Sequence, residues 1–177
     1  MPLEIYPVHG PWPGRLAISL PPRSGAWLEQ DLRQLKSAGY DCLVSALTGE
    51  ELEKLNLDGL PEACRRHAIQ HVHFPIGNLK VPSREVAVPA LHRWCVELES
   101  GRGIAMHCFG SVGRSPTLAA SLLVLCGIPP DLAWQRIQQA RGREVPDTLE
   151  QRRWVEQFVV DDTPARSANP APPHPLR

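Results

Sequence analysis

Neither charge is in excess in this sequence. Lysine plus arginine and aspartate plus glutamate each number 19 in 177 residues, so the formal net charge is zero. A general polyanion or membrane-surface binder needs a basic surplus, so neither nucleic acid nor a lipid surface is an expected partner. No stretch reaches the roughly 18 consecutive apolar residues of a membrane helix. The opening Met1-Pro2-Leu3-Glu4 has neither a basic segment nor the apolar core of a leader, so export is not expected. Paired cysteines are missing as well. Cys42, Cys64, Cys95, Cys108 and Cys126 are odd in number and widely spaced, without a Cys-x-x-Cys. That argues against a disulfide frame or a zinc ribbon and fits reduced thiols in a cytoplasmic setting. No internal repeat is present, and the length suits one domain with a full-sized core.

What the sequence does contain is concentrated in His107-Cys108-Phe109-Gly110-Ser111-Val112-Gly113-Arg114-Ser115. A short apolar run, Gly103 to Met106, precedes it and an apolar helical pattern follows from Ser115-Pro116. The spacing predicts a strand, a tight loop and a helix, with a thiol at one end of the loop and a guanidinium at the other. Amides of Phe109, Gly110, Ser111, Val112 and Gly113 that converge at a helix N-terminus form an anion site, because unpaired N–H groups and the helix dipole both favour negative charge. Arg114 adds a planar fork suited to two phosphate oxygens. Gly110 and Gly113 permit positive φ and close approach of backbone to ligand. The same positive field favours thiolate over thiol at Cys108. A nucleophilic sulfur facing a bound phosphate points to covalent phosphoryl transfer.

This stretch resembles the His-Cys-x5-Arg-Ser signature of the cysteine-dependent protein tyrosine phosphatase superfamily, in its dual-specificity branch. Further echoes are Leu35-Lys36…Gly39, Gly49-Glu50-Glu51-Leu52, Phe74-Pro75-Ile76 and Pro146-Asp147-Thr148…Gln151. They extend the likeness over residues 15–158, toward the branch that includes the cyclin-dependent kinase-associated phosphatase and its bacterial relatives. The resemblance implies Cys108 as nucleophile, Arg114 as binder of phosphate and transition state, Ser115 as helper of thiolate departure and His107 as tuner of the thiol. It implies no cofactor and no metal, and a phosphoprotein as substrate.

Strands alternating with helical patterns predict an α/β fold: a central mixed, mostly parallel sheet of four to five strands with helices on both faces. Strands are expected over 15–20, 41–46, 69–74 and 103–106. Helices are expected from Trp27 toward Gly39, after Thr48 (a capping box with Glu51), over 60–67, from Ser83 toward Gly101, over 115–126, over 132–140 and over 148–160. Trp27, Trp94 and Trp154 are read as core residues. Residues 1–14, with Pro2, Pro7, Pro11 and Pro13, are expected to form an irregular arm beside a catalytic domain of residues 15–160. Residues 161–177, also proline-rich, are expected to be a disordered tail.

One residue departs from the family pattern. The resemblance places the general acid, an Asp, at Asn78 in the loop Pro75 to Pro82, and an amide cannot donate that proton. General acid catalysis is worth about 10²–10⁴-fold. Three readings follow. The enzyme acts on aryl phosphates, whose leaving groups need little protonation; or Asp147 substitutes, with Gln151 placing the hydrolytic water; or the chain is a pseudophosphatase that binds phosphoprotein without efficient turnover. Asp147 also suits the cap of the last helix. The loop lacks the extra lysines of phosphoinositide phosphatases, so phosphotyrosine is preferred, with phosphoserine and phosphothreonine second. Lys80 and Arg23 either flank the pocket or are solvated surface charges. His67, His71 and His73 lack nearby carboxylates or thiols at ligand spacing and are not read as a metal site.

Overall fold

Five consecutive buried residues, Gly103–His107, form the middle strand of the sheet, and the rest of the fold is arranged around them. The computed structural model describes residues 1–161. In chain order these form β1 (Ile5–Val8), β2 (Arg15–Ser19), a single 3₁₀ turn (Gly25–Trp27), α1 (Leu28–Ser37), β3 (Cys42–Ser45), α2 (Gly49–Lys54) and α3 (Leu60–Arg66). There follow β4 (Gln70–His73), α4 (Arg84–Glu99), β5 (Gly103–His107), α5 (Arg114–Leu125), α6 (Pro130–Arg141), α7 (Leu149–Glu156) and α8 (Phe158–Asp161).

The sheet has five strands in the order β1-β2-β5-β3-β4. β2, β5, β3 and β4 run parallel, and β1 alone is antiparallel. Parallel strands need crossover helices, which cover both faces and bury the strands on each side. Alternation along the strands divides the core. Leu16, Ile18, Cys42, Val44, Ile104 and Met106 face the side packed by α4, α5, α6 and α7. Ala17, Leu43 and Ala105 face α1 and α3, meeting Leu32, Leu35, Leu60 and Ala63. The mixed α/β sheet with two helical layers is the expected fold.

The N-terminal segment differs from expectation. Residues 5–8 are not an irregular arm but an edge strand, pairing Ile5 with Ser19 and Val8 with Leu16. Pro7 is tolerated there because an edge strand leaves one row of amides unpaired. Leu3, Val8 and Trp12 are buried, so the segment belongs to the sheet and its core. Trp27 is a second correction. It is 54% exposed, lying beneath the Arg23 guanidinium at 4.8 Å, while Arg23 pairs with buried Asp31 and so is occupied away from the cleft. The expected tail, apart from Asp161, lies outside the described residues.

Helix boundaries follow local chemistry. The Thr48 hydroxyl accepts from the Glu51 amide at 3.3 Å, and the Glu51 carboxylate accepts from the Thr48 amide at 2.9 Å. α1 stops at Gly39, with φ +88°, and α6 at Gly142, with φ +70°, conformations that favour glycine. All twelve residues of α5 are buried, since it packs on the sheet and is enclosed by α4, α6 and α7. Its N-terminus is thereby fixed at the carboxyl end of the central strand. Leu122→Ala, at a fully buried position of α5, is expected to destabilise the fold by about 2–5 kcal/mol. Urea denaturation checks this, and a change below about 1 kcal/mol would mean that α5 is not the packed centre described.

Candidate active site

Between β5 and α5 the chain turns back in six residues, 108–113, at the end of the middle strand. Cys108 is only 2% exposed, at the base of a cleft of about 400 Å³ lined by Glu51, Lys54, Asn78, Leu79, Arg114 and Asp147 together with the loop itself. The Ser115 hydroxyl donates to the Cys108 sulfur at 3.3 Å. Such a contact stabilises negative charge on sulfur. The loop therefore brings the thiol, the hydroxyl and the start of α5 together.

The backbone freedom lies where the sequence did not suggest it. Neither Gly110 nor Gly113 has positive φ; the left-handed residue is Ser111, at φ +54°. Its buried hydroxyl donates to the Ser19 carbonyl, which holds a conformation uncommon outside glycine. Gly113 is needed for a different reason: a Cβ there would overlap the Asp147 carboxylate and the Gln151 amide. Close approach is thus the property used at Gly113, and Asp147 reaches the loop because of it.

Arg114 is buried, and its charge is met by Glu51. Nη1 donates to Glu51 Oε2 at 2.6 Å and Nη2 to Oε1 at 2.9 Å. Nη1 also meets the carbonyl of Ile76 at 2.9 Å and that of Ala46 at 3.4 Å. Burial works against both charges and the pair overrides it, so Glu51 is lowered and Arg114 raised from their ordinary values. Glu51 occupies the end of the guanidinium fork. Besides Glu51, the Cys108 sulfur lies within hydrogen-bond reach of the guanidinium and adds to the upward shift. The sequence pattern marked Glu51 as part of a helix cap and of a family echo, not as the partner of Arg114.

Asn78, where the resemblance leads one to expect the acid, is exposed and lines the cleft beside Leu79. Asp147 is exposed, lines the same cleft and does not cap α7; Thr148 does, in a capping box with Gln151. Buried Gln151 accepts from the Thr148 amide at 3.2 Å and donates to the Lys80 carbonyl at 3.2 Å, so it ties α7 to the loop carrying Asn78. Lys54, unremarked in the sequence, is the lysine that lines the cleft, and it lies 5.8 Å from the Phe109 ring centre.

His107 is fully buried, and neither ring nitrogen has a hydrogen-bond partner among the described residues. Burial, with His71 nearby, pushes its imidazole down to about 3, and burial pushes His71 down to about 4. A neutral His107, set against the backbone of Cys108, does not supply a cation. Among the described residues no group of three His, Cys, Asp or Glu side chains is arranged to hold a metal ion. No helix there is long and apolar enough to cross a membrane.

The two imidazoles give the fold a defined acid response. In the unfolded chain they protonate near 6.5, and in the folded chain only near 4 and 3. Below 6.5 the unfolded state binds more protons, so stability falls with pH from there down through the folded values. Denaturation from about pH 7 to about pH 4 is expected to show this fall, and His71→Gln to make it shallower; an identical slope in the variant would contradict it.

Comparison with known proteins places this geometry. A family model described as the DSP-PTPase phosphatase of polymorphic toxin systems matches residues 18–128. Cyclin-dependent kinase inhibitor 3 of rat is 26% identical over 133 residues, covering 74% of this chain and 63% of that protein. The human protein matches to the same extent. The match thus spans under two thirds of the length of these curated relatives. A crystal structure of kinase associated phosphatase with its catalytic-site cysteine changed to serine superposes with a TM-score of 0.82 at 23% identity, covering 89% of this chain and 94% of that one. Tk-PTP in its active form gives 0.67 at 24% identity, covering 82% and 91%. At these identities the two structures establish the fold.

Proposed function

The chain belongs to the DSP-PTPase phosphatase family, and from that membership we propose that it hydrolyses phosphotyrosine in proteins through a cysteinyl-phosphate, without a metal, taking phosphoserine and phosphothreonine more slowly. The observation that carries this reading is the Cys108 sulfur at the base of a cleft, beside the Ser115 hydroxyl at 3.3 Å and the buried Arg114.

In the first step the Cys108 thiolate attacks phosphorus. The S–P bond forms as the ester P–O bond breaks, while the amides of residues 109–113 and the Arg114 guanidinium hold the equatorial oxygens. That is charge stabilisation aimed at the transition state. The departing phenoxide takes its proton from Asp147. In the second step water attacks the cysteinyl-phosphate and gives a proton back to Asp147. Phosphate leaves, and the returning thiolate is met by the Ser115 hydroxyl. Gln151 fixes the start of α7, and with it Asp147, against Gly113. His107 supports the loop.

Asp147 is assigned this role because it lines the cleft against Gly113 and is free of the capping task that Thr148 performs. Asn78 lines the same cleft but can only accept or donate a hydrogen bond. Phosphotyrosine is favoured because its phenoxide needs the least protonation, and because Phe109 and Leu79 expose apolar surface beside the cleft.

Turnover of a phosphotyrosine peptide and of 4-nitrophenyl phosphate tests the proposal. Cys108→Ser is expected to abolish both, and a chelator to leave both untouched. Asp147→Asn is expected to lose about 10²-fold and the basic limb of the kcat profile, whereas Asn78→Asp leaves the rate where it was. A large gain in Asn78→Asp with Asp147→Asn unchanged would place the missing acid at 78. Equal rates in the parent and Cys108→Ser, with phosphopeptide still bound, would leave only the binding role.

A further inference from the structure

The back of the 108–113 loop is held by a residue outside the signature. Arg141, the last residue of α6, donates from Nε to the Ser111 carbonyl at 3.0 Å and from Nη2 to the Gly110 carbonyl at 3.2 Å. Its guanidinium lies 4.3 Å from the ring centre of Tyr6, on the N-terminal edge strand β1. The Tyr6 hydroxyl in turn donates to the Glu4 carboxylate. A planar trans peptide points its C=O and its N–H in opposite directions. Drawing the carbonyls of Gly110 and Ser111 toward Arg141 therefore turns the amides of Ser111 and Val112 the other way. A cation on each carbonyl also polarises that peptide and strengthens its N–H as a donor.

We propose that Arg141, seated on Tyr6, is a positioning residue of the phosphate loop: it presents two of the loop's amides to the anion and makes strand β1 part of the active-site support. The inference rests on residues 108–114 being the anion site and is independent of which group supplies the catalytic proton. It gives the N-terminal segment a function: without β1 the guanidinium loses the ring beneath it and its fixed direction. Ser111 is constrained twice, through its hydroxyl to Ser19 and its carbonyl to Arg141.

The test is vanadate affinity, measured alongside kcat/KM for 4-nitrophenyl phosphate, in Arg141→Ala, Arg141→Lys, Tyr6→Ala and Tyr6→Phe. Arg141→Ala is expected to weaken vanadate about ten-fold and to lower kcat/KM by the same factor, the worth of a hydrogen bond to a charged group. Arg141→Lys should recover part of the loss, since an ammonium can serve one carbonyl but not both in a fixed fork. Tyr6→Phe keeps the ring but loses the hydroxyl, which also meets Arg141, and is expected to fall a little below the parent, with Tyr6→Ala between Tyr6→Phe and Arg141→Ala. If Arg141→Ala melts earlier yet keeps vanadate affinity and kcat/KM, the residue is merely structural and the proposal falls. Should Arg141→Ala fail to fold, Arg141→Lys and Tyr6→Ala decide by the same two readouts. A parent protein that binds vanadate but turns nothing over would defeat the catalytic reading alone, and the vanadate measurements would still decide this one.

Discussion

A guanidinium 3% exposed survives in this fold only because a carboxylate meets it end to end. An isolated buried charge is strongly unfavourable, and a paired one is tolerated when the geometry is good and the remaining donors are satisfied. Arg114 is paired through the two oxygens of Glu51, and Nη1 also meets the carbonyls of Ile76 and Ala46. Three separate pieces of chain thereby converge on the first residue of α5. The loops after β3 and β4 supply the carbonyls and α2 supplies the acid.

Glu51 Oε2 accepts from the Thr48 amide as well as from Arg114. The start of α2 and the orientation of the Arg114 side chain are thus set by one carboxylate. Arg114 lines the cleft, along with the loop at the N-terminus of a helix buried on every side. On the proposed reading, the anion enters a charge distribution built before it arrives, which is how electrostatic catalysis avoids reorganisation during the reaction.

The part of this arrangement legible in the sequence is the part that is contiguous. Residues 107–115 contain strand end, loop, thiol, fork and hydroxyl, so their chemistry could be read off the spacing. The sheet and its helical layers were legible from the alternation of apolar runs. Glu51 was legible as a helix cap and as part of a family echo but not as the partner of Arg114, because that partner lies 63 residues away and nothing local marks the pairing. Arg141 and Tyr6 are invisible for the same reason. β1 was hidden by prolines that an edge strand tolerates. Positive φ was sought at the glycines and is found at Ser111, because a tertiary hydrogen bond to Ser19 compensates a cost that local propensity alone assigns. Asp147 could be read from the sequence either as the substitute acid or as the cap of the last helix, and the backbone gives the cap to Thr148.

The central claim is that the sulfur of Cys108 itself receives the phosphoryl group. Rapid acid quench during turnover of an aryl phosphate, followed by mass spectrometry of the proteolysed chain, tests it most directly. Phosphate is expected on the peptide carrying Cys108, and on no other. Product release with that peptide unmodified at every quench time, or with the phosphate on another side chain, would contradict the account.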